Sequence, residues 1–211
     1  MRNSSQLKAR KAELEQLEAA IELKAAIWKN ASTQLLSHDI YVFVREVDDE
    51  TVFKAKAELA LWSAANKGKP LTIILSSPGG VVTAGLALLD VLNALARAGH
   101  HLTIKVRGMA ASMGSILLQA GVKGRRRRLV GKHAKVLIHP PWAWYDAPMS
   151  AVQLQHEATQ MKLMWEQLCR ILANDSECRW TPEELSARVA GDDWWLTAEE
   201  AVRYGFADAI G

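Results

Sequence analysis

Between Pro70 and Leu89 the chain carries no charged residue, its longest such stretch. Twenty uncharged residues are enough to span a bilayer as a helix. The middle of this stretch, however, reads Ser76-Ser77-Pro78-Gly79-Gly80. Proline removes a backbone donor and two glycines loosen the backbone, so one continuous helix is excluded. The stretch instead reads as globular core: a buried strand over Leu71–Leu75, a tight turn, and a buried helix from about Val81 to Ala98.

The flanking sequence repeats that pattern. Ile40–Val44 is a β-branched and aromatic strand, and Asp48-Asp49 can cap a helix running to about Ala65. Leu102–Val106 is a third strand. Gly108 then opens a small-residue segment, AASMGSILLQAG, which reads as a helix closed by Gly121. Arg127–Val130 and Lys135–His139 read as two further strands. Repeated alternation predicts an α/β fold with a parallel-type sheet and right-handed crossovers. A second long helical stretch runs from Pro148 to about Cys178. Thr181–Glu184 and Thr197–Glu200 both fit the capping box that starts a helix.

At 211 residues the chain suits one domain with an appendage. The appendage is a helix over residues 5–30. Leu7, Leu14, Ile21 and Trp28 recur in it every seven positions, but Arg10 and Lys24 fill the complementary apolar slots. A strict coiled-coil seam therefore fails, and a helix laid on its own domain or on a neighbouring subunit fits better. The boundaries follow as 1–35 for the helical extension and 36–211 for the main domain.

Lys and Arg total 26 against 23 for Asp and Glu, a net charge of only +3. That balance nominates no nucleic acid, and the run Arg125–Arg128 reads as a solvated strand edge. The first residues, MRNSSQLKARKAELEQ, are too charged for a signal peptide. With two cysteines, Cys169 and Cys178, there is neither a disulfide framework nor a metal-ligand pattern. A cytoplasmic protein with reduced thiols, no membrane contact and no cofactor is expected.

Chemistry-bearing residues gather at the ends of predicted strands, where open α/β sheets place their sites. Ser77-Pro78-Gly79-Gly80 can expose backbone N–H groups at a helix start, donors suited to a developing oxyanion. Ser112 sits among very small neighbours that let a substrate backbone approach. The competing hydroxyl, Ser115, lies one turn further on, where it bonds backward to the helix. His139 ends a strand before Pro140-Pro141, and an imidazole titrating near neutrality suits a general base. Asp193 can orient that base, with Trp194 and Trp195 to wall it from water. Each element also has a plainer structural reading as a turn, a cap or a strand end. Together they supply nucleophile, base, orienter and oxyanion donors.

The motifs Val47-Asp-Asp-Glu50, Ser77-Pro-Gly-Gly80, Ala110-Ala-Ser-Met-Gly114, Ala120-Gly-Val-Lys-Gly124, Ile138-His-Pro140 and Leu196-Thr-Ala-Glu-Glu-Ala-Val202 stand in an order that resembles the ClpP family of serine peptidases. The resemblance runs from about Ile40 to Ile210. It implies a crotonase-like (ClpP-like) fold and polypeptide substrates. It also implies a homo-oligomer of seven-membered or stacked rings. Ser112, His139 and Asp193 would be the catalytic triad, with the N–H groups of Gly80 and Met113 as oxyanion hole. Residues 142–178 would form the "handle" that joins rings, and an ATP-driven unfoldase would be a partner. Two departures stand out: Trp142–Met149 is aromatic and poor in glycine, and the chain starts with a helix instead of an axial loop. Both resemble divergent phage and prophage members, some akin to head-maturation proteases. Two other functions stay open: a crotonase-type acyl-CoA hydratase or isomerase, and an inactive ring-forming assembly protein.

Overall fold

The computed structural model describes residues 2–146, 148–173, 178–189 and 192–211. Two compact units divide the chain, Met1–Ile40 and Tyr41–Gly211. The first is essentially one helix, α1 (Arg2–Ser37), of 36 residues. At 1.5 Å per residue it is about 54 Å long. It outruns the expected 5–30 because its late polar residues bond back to it instead of ending it. Ser32 and Thr33 both donate to the Lys29 carbonyl, at 3.0 and 2.8 Å. Asp39, with φ at 62°, lies just beyond its end.

In the second unit β1 (Ile40–Val44), β2 (Leu71–Ser77), β3 (Leu102–Ala111), β4 (Arg126–Val130) and β7 (Ala209–Ile210) follow one another across the sheet. Two more strands, β5 (Lys135–Ile138) and β6 (Trp194–Leu196), leave that path, β5 pairing with β3 and β6 with β5. The β2–β3, β3–β4, β3–β5 and β4–β7 pairs are parallel, and β5–β6 is antiparallel. Helices α2 (Asp49–Ala65), α3 (Val82–Arg97), α4 (Met113–Leu117), α5 (Ala151–Ala173), α6 (Pro182–Arg188) and α7 (Ala198–Arg203) complete the unit. This is the mixed α/β architecture, with a mostly parallel sheet, that the alternating pattern predicts.

Leu71, Ile73 and Leu75 of β2 are buried beside Leu102, Ile104 and Val106 of β3. Fully burying such a side chain contributes about 1.5–3 kcal/mol. Helix α2 starts where expected: Asp48 accepts the Thr51 N–H at 2.7 Å and Thr51 Oγ1 accepts the Asp48 N–H at 3.1 Å. The capping boxes of Thr181–Glu184 and Thr197–Glu200 form as the sequence indicates.

Three expectations need correction. The segment after Gly108 is not a long helix: β3 runs on to Ala111 and α4 is five residues. Gly108, with φ at 88°, lets β3 bend, and the register with β2 shifts between Leu75 and Ser77. The strand then gains β5 as a new partner, pairing Met109 with Lys135 and Ala111 with Leu137. The arginine run is not a solvated edge throughout, because Arg128 is 1% exposed. Its Nε and Nη2 donate to Asp208, and its Nη1 to Gln119 Oε1 and the Gly205 carbonyl. The second long helix covers Ala151–Ala173, since residues 148–150 precede it as coil. Residues 174–177 of that expected helix lie outside the described residues.

Candidate active site

Ser112 stands at the junction of β3 and α4 with φ 53° and ψ −121°. A non-glycine residue in that region costs of order 1–3 kcal/mol and persists only where its surroundings hold it. They do so here from both sides. The Ser112 N–H donates to the Leu137 carbonyl on β5 at 3.0 Å, and its own carbonyl accepts the Ser115 N–H at 2.9 Å. Ser115 Oγ donates to the same carbonyl at 2.7 Å and is buried, so this hydroxyl is spent on structure.

The Ser-Pro-Gly-Gly turn lies against the serine. A Cβ on Gly79 would stand 2.5 Å from Ser112 Cβ and 3.0 Å from Ser112 Oγ, and φ there is 102°. Glycine is thus required by contact and by conformation. Gly80 is fixed by a bridge to Val47, whose N–H donates to the Gly79 carbonyl and whose carbonyl accepts the Val81 N–H, both at 2.7 Å. Those bonds pass over the N–H of Gly80. Among the described residues neither that N–H nor the N–H of Met113 donates to another backbone group.

His139 follows the last residue of β5 and is half-buried. With Ser112 it lines an open cleft of about 360 Å³, together with Gly79, Gly80, Glu46 and Trp142. The same two residues stand at the mouth of a tighter pocket of about 20 Å³, walled by Met113, Ile116, Trp165 and Leu168. His139 Nδ1 lies 2.7 Å from the Pro140 carbonyl. A carbonyl oxygen only accepts, so this contact places a ring proton on Nδ1.

Asp193 directly precedes β6. The β5–β6 ladder pairs Val136 with Leu196, Leu137 with Trp195 and Ile138 with Trp194. His139 directly follows β5 and Asp193 directly precedes β6, each one step beyond the last pair of that ladder. Among the described residues no hydrogen bond joins His139 to Asp193 or to Ser112. The expected tryptophan wall is a correction: Asp193 is exposed and Trp195 is 48% exposed. Trp194 turns away into a ring cluster, 5.2 Å from Trp180 and 5.6 Å from Tyr204.

Sequence reasoning missed the Pro140 carbonyl as the imidazole's partner, because a main-chain acceptor has no signature. It also missed Trp165, which α5 brings to the small pocket from 26 positions beyond His139 in the chain. No group of histidine, cysteine, aspartate or glutamate suited to a metal ion occurs among the described residues. No helix among them is long and apolar enough to cross a membrane.

A family model described as Clp protease matches residues 23–211. The chain is 33% identical over 185 residues to the ATP-dependent Clp protease proteolytic subunit 2 of Thermobifida fusca, covering 87% of this chain and 86% of that protein. It is 34% identical over 177 residues to the ATP-dependent Clp protease proteolytic subunit 1 of Mycobacterium tuberculosis (strain ATCC 25618 / H37Rv), with 84% of each covered. The corresponding subunit of Porphyromonas gingivalis is 33% identical over 178 residues, 84% of this chain and 76% of that protein.

Proposed function

The chain belongs to the Clp protease family, and from that premise we propose that its peptidase chemistry is carried by Ser112, His139 and Asp193. The supporting observation is that Ser112 and His139, 27 positions apart in the chain, line one cleft together with Gly79 and Gly80. Ser112 Oγ attacks the carbonyl of the scissile bond as His139 Nε2 takes its proton. The N–H groups of Gly80 and Met113 hold the resulting oxyanion, a contribution worth about 10²–10³ in rate for each donor. His139 returns the proton to the leaving amine, and water then releases the acyl group by the same steps.

For the charged imidazolium to be stabilised, its Nδ1–H must exchange its hydrogen bond to the Pro140 carbonyl for one to a carboxylate. We assign Asp193, one step beyond the ladder, as the acceptor of that bond. A turn of the imidazole makes that exchange and leaves the β5–β6 pairing intact. The small apolar pocket beside Ser112 favours a compact apolar side chain next to the cleaved bond.

Polypeptides are the substrates, and the working form is a homo-oligomeric ring to which an ATP-driven partner delivers chains. The named relatives, proteolytic subunits of ATP-dependent proteases, support the polypeptide substrates and the ATP-driven partner. The acyl-CoA reading loses its basis, since the protease model covers 189 of 211 positions, residues 23–211.

Ser112→Ala tests the assignment. It should abolish labelling by a fluorophosphonate and lower peptide hydrolysis by on the order of 10⁶-fold. Labelling that persists at the wild-type level would remove Ser112 as nucleophile.

A further inference from the structure

The two cavities that share Ser112 and His139 differ in size and in chemistry. The smaller, about 20 Å³, is walled by apolar side chains and holds no charged residue apart from the histidine. The larger, about 360 Å³, adds Glu46 and Trp142. Among the described residues Glu46 is the one carboxylate of that cleft, and no lysine or arginine lines it.

Neither side chain is committed elsewhere. Among the described residues Glu46 forms no ion pair, and its one hydrogen bond outside the regular ladders is made by its main-chain carbonyl, which accepts from Thr51 Oγ1. The adjacent cation, Arg45, is turned to Phe43, its guanidinium carbon 6.0 Å from that ring's centroid. Trp142 is 76% exposed, and its indole stacks on no other ring among the described residues. An unpaired carboxylate and a bare aromatic face thus line the cleft that holds the nucleophile, and both attract a cation.

Building on the peptidase reading above, we propose that the cleft selects polypeptides carrying a basic residue, arginine before lysine, close to the cleaved bond. Size divides the two cavities between neighbouring side chains of the substrate. The small pocket is too tight and too apolar for a guanidinium, so a compact apolar residue fills it while the basic residue lies in the cleft. Arginine leads because its planar group stacks on an indole and pairs with a carboxylate through its edge, whereas lysine brings a point charge alone. An acidic residue at the same position meets Glu46 as a like charge and is disfavoured.

Internally quenched peptides that differ only in one residue near the cleaved bond, set to Arg, Lys, Gln or Glu, test this with the full chain. At one position kcat/KM should favour arginine over glutamate by at least about fivefold, and high salt should shrink that ratio. Glu46→Gln should lower the ratio and Glu46→Lys should reverse it. Trp142→Ala should lower the arginine-over-lysine ratio by about twofold or more. Asp90→Asn, which removes an exposed carboxylate outside the cleft, should keep the wild-type ratio. Where turnover is too slow to rank, protection of Ser112 from a fluorophosphonate by the same peptides gives the ratios. Equal values for arginine and glutamate at every position, or a preference that survives Glu46→Lys, would overturn the proposal and leave the peptidase reading standing. Absence of both cleavage and fluorophosphonate labelling would instead remove the reading on which it rests.

Discussion

Ser112 holds its hydroxyl in place by means of a backbone angle that serine ordinarily avoids, φ 53°. Glycine carries no Cβ penalty there. Ser112→Gly should consequently be more stable to urea than Ser112→Ala by about 1 kcal/mol, although both lack the hydroxyl. Equal midpoints would mean that the angle stores no strain. At this scale the sequence was informative wherever a residue type limits conformation or chemistry. The turns at Ser112 and His139 were legible because glycine, alanine and proline surround them with few alternatives. The exposure of Asp193 was not legible, because Trp194 finds its partners at Trp180, Tyr204 and Phe206 rather than over the neighbouring carboxylate.

Elements divide in the same way between local and distant causes. The capping boxes were readable because a threonine and a glutamate three residues apart satisfy each other within one turn. Glu200 accepts the Thr197 N–H at 2.9 Å, and that bond holds its carboxyl below the usual glutamate range. A lowered folded value means the cap stabilises fully above the ordinary glutamate pKa and is lost as pH falls through the lowered one. Urea midpoints should fall on acidification below about pH 4, and Glu200→Gln should flatten that part of the slope. Arg128 illustrates the opposite case. Its partners Gln119, Gly205 and Asp208 lie 9, 77 and 80 residues away, so the run of four arginines gave no hint that one turns inward. Arg128→Ala leaves Asp208 with the main-chain N–H of residue 128 alone and removes the guanidinium tie between β4 and the C-terminal turn. The expected loss is about 1.5–3 kcal/mol by chemical denaturation.

For the molecule as a whole, the division at Ile40 and Tyr41 sets the expectation for truncation. Deleting residues 1–37 should leave the remaining unit with its sheet content by circular dichroism and a thermal transition within a few degrees of the full chain's. A truncated chain that fails to fold would make α1 part of the core. Within the second unit β3 changes partner halfway, its first half lying beside β4 and its last residues beside β5. His139 and Asp193 thus flank one leaf, β5 with β6, while Ser112 ends the stem from which that leaf branches. Under the proposed mechanism a tilt of the leaf would alter the gap between His139 and Ser112, so a force on β6 from outside the subunit would act on the reaction as a throttle.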